Sequence, residues 1–134
     1  PWYTEGVSGF VDAADVASIM VLLMKSDITA ERFILSAENK SYRSIFTEMA
    51  IAFGKKPPSR KVNPTLAAIV WRIERIKGWI TGKEALLTKE TAETAQQKVN
   101  FDNSKILNAL PGFRFKPVSQ TISECCAGYV KMMN

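Results

Sequence analysis

The chain contains no histidine. That absence removes the Ser-His-Asp and Cys-His nucleophile systems, which need an imidazole to move a proton, and the usual zinc sites that take one as a ligand. Cysteine is scarce too, with Cys125 and Cys126 side by side. Adjacent cysteines suit neither a disulfide framework nor a CxxC metal motif, so they read as reduced, packed thiols of a cytoplasmic protein. The seven glycines never fall as G-x-G-x-x-G or as G-x-x-x-x-G-K-[ST], so no phosphate cradle is encoded. Long apolar runs are missing as well. The longest, around Ile19 to Met24, is far below the roughly 20 residues of a membrane span, and no basic-then-apolar leader opens the chain. Neither a metal nor a membrane is expected as a partner.

What is present fits one domain over 1–134. At 46% hydrophobic and 23% charged residues, the chain has enough apolar material for one modest core and too little length for a second. The net charge is +5, and Lys55, Lys56, Arg60 and Lys61 gather around Pro57 and Pro58. Acidic residues are interleaved elsewhere, and no aromatics are spaced through this loop to stack bases. It therefore reads as a solvated loop, and no nucleic-acid partner is expected.

The organising stretch is Gly9 to Met24, a short strand that runs into an almost wholly apolar helix. Asp12 is placed to N-cap that helix, and Asp15 adds negative charge to its first turn, where free N–H groups favour it. As paired carboxylates these two could suggest acid catalysis, but helix-start chemistry explains both. From Val16 to Met24 the only polar residue is Ser18, so nearly every face of the helix is expected to meet protein. Glu31 to Ser36 reads as a second strand. Its consecutive Phe33, Ile34 and Leu35 suggest cover on both faces, as in a parallel sheet reached by a crossover.

Farther along, Ser41 should cap a helix carrying Ile45, Phe46, Met49, Ala50 and Phe53 on one stripe, with Gly54 ending it. Lys61 to Val62 reads as a brief strand. Asn63-Pro64 opens a third helix with Leu66, Ile69, Val70 and Ile73, and a fourth helix begins at Thr88. Val99 to Phe101 is extended, and Asp102 or Asn103 starts a short helix with Ile106, Leu107 and Leu110. In the last helix Ile122, Cys125, Cys126, Tyr129, Val130 and Met133 form an apolar stripe. The chain opens on Pro1-Trp2-Tyr3, two large aromatics without a polar arm, as expected of a piece of something longer.

These stretches carry a family resemblance. Gly9-Phe10-Val11-Asp12-Ala13-Ala14-Asp15-Val16-Ala17, then Glu31-Arg32-Phe33-Ile34-Leu35, then Ser41 before a helix ending in Phe53-Gly54-Lys55, resemble the C-terminal part of extended short-chain dehydrogenase/reductases. The order continues with Phe101-Asp102-Asn103-Ser104-Lys105, Leu110, Gly112-Phe113 and Pro117. That family includes the NAD-dependent epimerases and dehydratases, and Val11 to Ala17 looks most like its dihydroflavonol-reductase-like branch. Ala14 stands where that branch has arginine, and Ser8 where the nucleotide-sugar enzymes have one.

The resemblance implies an α/β, helix-rich, substrate-binding segment with a few short strands and most of the Rossmann core missing. The parent enzyme would use NAD or NADP to move hydride between nicotinamide and a small-molecule carbonyl or alcohol. In the family the cofactor glycines, the catalytic Ser or Thr and the Tyr-x-x-x-Lys pair all precede this region. Four residues after Tyr3, Tyr42 and Tyr129 come Val7, Phe46 and Met133, so no tyrosine has its lysine. No catalytic residue and no cofactor-binding residue are therefore expected here. By resemblance, Trp2, Tyr3, Ser8 and Phe10 border the substrate cleft. Self-association through uncovered apolar surface is also expected. The alternative is a self-sufficient small binding or interaction module.

Overall fold

The computed structural model describes residues 2–62 and 94–133. The expected third helix, from Asn63, and the first part of the fourth, from Thr88, lie outside those residues. Within them the order is β1 (Trp2–Tyr3), β2 (Val7–Phe10), α1 (Ala13–Met24), β3 (Glu38–Ser41), α2 (Tyr42–Ala52), β4 (Arg60–Lys61), α3 (Ser104–Ala109) and α4 (Val118–Met133). The fold is thus mixed α/β with short strands. No helix among the described residues is long and apolar enough to cross a membrane.

Both expected caps form. The Asp12 carboxylate accepts the Ala14 N–H at 2.8 Å, and the Ser41 hydroxyl accepts the Ser44 N–H at 3.2 Å. Each satisfies a backbone donor that the first helical turn leaves open. At the other end of α2, Gly54 takes a φ of 63°. Its N–H bonds to the Ile51 carbonyl, and that of Lys55 to the Ala50 carbonyl, so two carbonyls the helix leaves free are paired at once. A side chain at this φ would be strained.

The second strand is not where the apolar run stood. Residues Glu31 to Ser36 form no ladder, and Ile34 is exposed. The strand is instead the polar Glu38–Ser41, antiparallel to β2, with Ser8 opposite Lys40 and Phe10 opposite Glu38. A four-residue polar run has no periodic apolar signature, and its pairing comes from β2 rather than from its own propensity. The expected parallel crossover is therefore absent between these two segments. Parallel pairing occurs elsewhere, where Trp2 lies opposite Arg60 and Tyr3 opposite Lys61.

The other edge of β2 meets residues 97–99, with Val7 donating to the Gln97 carbonyl and accepting from the Val99 N–H, each at 2.9 Å. That approach explains Gly6, where a Cβ would run into the backbone carbonyls of Ala95 and Gln97. Gly9 is confined too: its Cβ would stand 2.6 Å from Ser36 Oγ and 2.7 Å from a Phe101 ring carbon. Segment 31–36 is held from the side, as Asn103 Nδ2 donates to the Ser36 carbonyl and Lys105 Nζ to the Arg32 carbonyl.

Tyr3, Ile19, Ile45, Ile106, Val118 and Cys126 form the buried apolar set. In α1, Ile19 is wholly buried, whereas Met20, Val21, Leu22 and Met24 are exposed. The cover expected around the whole helix is not present. α4 behaves similarly. Val118 and Cys126 face inward and Tyr129 meets Phe53 edge to face, but Cys125, Val130 and Met133 on the expected stripe are exposed. α2 supplies one surface for α4 to pack on and reaches as far as Tyr129 through Phe53, while the outward residues of α4 stay uncovered.

Candidate functional site

The densest polar cluster surrounds the start of α1. Asp12 is buried, and beyond capping α1 its Oδ2 accepts the Thr121 hydroxyl at 2.8 Å and lies 3.0 Å from Lys116 Nζ. Lys116 Nζ also meets Glu124 at 2.9 Å. Backbone joins in, as the Lys116 N–H donates to Asp15 at 2.7 Å and the Val118 N–H to Glu38 at 2.9 Å. The segment entering α4 is thereby seated on three carboxylates from β3 and the start of α1. A second chain of charges runs from Glu38 through Lys40 to Glu48, at 3.6 and 2.9 Å.

These bonds decide what the carboxylates can do. The Ala14 N–H first, then Lys116 and Thr121, hold the Asp12 carboxyl down at about 2 from its ordinary 3.8. Glu124, and then Asp12, push the Lys116 ammonium above its ordinary value. Asp12 is thus ionised near neutral pH and its oxygens are engaged with protein donors. In this state the group acts as a hydrogen-bond acceptor and holds no proton to give. The Asp12–Asp15 pair is helix-start and docking chemistry, as the sequence suggests.

The candidate substrate-binding residues fall into two groups. Ser8 and Phe10 share one face of the β2–β3 pair, because alternate residues point the same way. Phe10 leads into an aromatic row, 6.0 Å from Tyr42, which stacks at 6.4 Å on Phe46. Trp2 and Tyr3 sit on the separate β1–β4 pair. Tyr3 is buried with the Arg43 guanidinium 4.8 Å over its ring, whereas Trp2 is 53% exposed with Arg60 at 5.5 Å. Such placements are cation–π contacts. α2 approaches both groups, packing on β3 and on β1.

Sequence reasoning missed Arg43, Arg60 and Lys116 as partners. Arg60 reaches Trp2 through a strand pairing that joins residues at opposite ends of a long interval, which no local spacing reveals. Lys116 lies between Phe113 and Pro117 of the family-like ending, so its position was visible but its role was not. No group of histidine, cysteine or carboxylate side chains able to hold a metal ion occurs among the described residues.

No family model matches the chain, and a search of curated proteins finds no match. Among solved structures, the fold is similar to that in the crystal structure of gox2253, with a TM-score of 0.73 and 23% sequence identity over 98% of this chain. The chain spans 40% of that longer protein. The likeness is one of fold.

Proposed function

We propose that the chain is the substrate-side, C-terminal segment of an NAD(P)-dependent reductase, epimerase or dehydratase of the extended short-chain dehydrogenase/reductase type. The observation that carries this reading is the way the family-like stretches interlock. Asn103 and Lys105 hold Glu31, Arg32 and Ser36, and Lys116 joins Asp12 to the segment before α4. These contacts bring the family-like stretches into one packed unit, as a single segment of that family requires. Recurrence of the fold as two-fifths of a longer chain is compatible with a segment of a larger protein.

In this reading the segment positions substrate, with Trp2, Tyr3, Ser8 and Phe10 facing it. A tyrosine and a lysine of a preceding half act on the carbonyl or alcohol while hydride moves to or from nicotinamide. NAD or NADP binds to that half, whose glycine turn would hold the pyrophosphate at a helix N-terminus. The segment alone binds neither.

Calorimetry tests both parts. The 134-residue chain should show no specific binding of NADH or NADPH, and a protein extended through the residues encoded before Pro1 should bind one of them at micromolar concentration. Micromolar binding by the 134-residue chain, or an extension without a dinucleotide-binding half, would sink the proposal.

The exposed Ile34 and the open face of α1 also lead us to propose self-association of the isolated chain. Unpaired extended backbone and uncovered apolar area both favour a second copy. Sedimentation at increasing concentration should show a mass above the monomer's, reduced by Ile34→Lys. A monomer at high micromolar concentration would rule it out.

A further inference from the structure

The basic loop acquires an aromatic through the fold. Lys55, Lys56 and Arg60 are exposed, and no carboxylate pairs with them among the described residues. Lys61 alone in the loop is neutralised, by Glu5 at 2.6 Å. Parallel pairing of β1 with β4 then sets Trp2 opposite Arg60, and the guanidinium stands 5.5 Å from the indole centroid. Trp2 remains 53% exposed beside that cation. Pro58 is buried, which anchors the loop between Lys56 and Arg60. The expectation of no nucleic-acid partner rested on acidic residues interleaved elsewhere and on a loop without aromatics. The fold supplies one.

We infer that Trp2, Arg60, Lys56 and Lys55 form a binding ledge for single-stranded nucleic acid, independent of whether a cofactor-binding half precedes the chain. The open indole surface is a stacking platform for a base, which every base can use because each has a π-face. Arg60, held over the ring, keeps N–H donors for the adjoining phosphate, and fork-shaped donors suit phosphate oxygens. Lys55 and Lys56 add two exposed cations within five residues of Arg60. Three cations suit the several phosphates of a strand better than the phosphate of one nucleotide. The net charge of +5 draws a polyanion toward the chain.

Fluorescence anisotropy with a labelled oligothymidylate of about 12 nucleotides measures this directly. At low salt the chain should bind it, and three phosphate contacts should give a log–log salt slope of about −2. Trp2→Ala should weaken binding about tenfold, the scale of one lost stacking contact. Arg60→Gln should make the slope shallower by about 0.7. Lys25→Gln, a charge-matched change at the end of α1, should alter neither, and circular dichroism should show all variants folded. A duplex of the same length should bind more weakly, since its bases are not free to stack. Absence of oligonucleotide binding at low salt would overturn the inference. So would equal loss in Lys25→Gln and Arg60→Gln, which indicates diffuse charge attraction. Free AMP that binds as tightly as the oligomer would also overturn it, since the site would then read one nucleotide and not a strand.

Discussion

Around the start of α1, Asp12, Asp15 and Glu38 accept hydrogen bonds from Ala14, Lys116, Val118 and Thr121, and Gly9 is packed tightly between Ser36 and Phe101. Two turns farther along the same helix, Met20, Val21, Leu22 and Met24 face outward, as do Met132 and Met133 at the end of α4. One region is a polar collar in which nearly every group has a partner. The other is an apolar shelf with few. Stability in this chain is therefore unevenly distributed, and side-chain hydrophobicity is a poor guide to where it resides. A methionine on the shelf has its apolar surface in water in the folded and unfolded states alike, so it contributes little.

The sharpest way to break this contrast is on α1 itself. Ile19→Ala removes a wholly buried side chain and should cost about 2–5 kcal/mol in urea unfolding. Its neighbour Met20, 57% exposed, should tolerate the same change far better. Similar losses at both positions would mean that the shelf is covered in solution. In the collar, Gly9→Ala forces a methyl group against Ser36 and Phe101 and should cost about 1–3 kcal/mol.

Asp12→Ala removes a cap and the partner of Thr121 and Lys116 together. The melting midpoint should fall by roughly 5 °C, the size expected of a lost cap in a domain of this length. Asp12→Asn keeps an acceptor for the Ala14 N–H and should recover part of that fall. Full recovery would show that Lys116 contributes nothing through charge. The acid limb sharpens the point. Because the folded Asp12 carboxyl is depressed from 3.8 to about 2, its contribution is complete above the unfolded value and is lost as pH falls through that window. Melting midpoints between pH 5 and 2 should decline less steeply in Asp12→Asn than in the wild type. The smallest effect belongs to the shelf: Met24→Ala, at 83% exposure, should stay within about 0.5 kcal/mol of the wild type.

The same division explains what could be read from residues alone. The Asp12 and Ser41 caps and the Gly54 stop were legible because each depends on groups within four residues of itself. The strand Glu38–Ser41 was not, since its ladder is supplied by β2, and the apolar run Phe33 to Leu35 drew attention away from it. Cover for α1 was inferred from composition, whereas burial depends on what else the chain has to place there. Of the candidate surface, Trp2, Tyr3, Ser8 and Phe10 were visible, but their cationic neighbours Arg43 and Arg60 required tertiary placement.

The bonds that seat α4 also bear on the order in which the molecule assembles. Those from Glu38, Asp15 and Asp12 join residues 80, 101 and 109 positions apart in the sequence. Closing loops of that length loses chain entropy before any contact is gained, and topologies rich in such pairs fold slowly. The α2 turn, capped at both ends by nearby groups, needs no such closure, so an order in which α4 docks last is the one to test. A late step of this kind leaves a kinetic signature. If the Thr121 bond to Asp12 forms after the rate-limiting barrier, Thr121→Ala should accelerate unfolding and leave the refolding rate nearly unchanged; slowed refolding would place the bond before it.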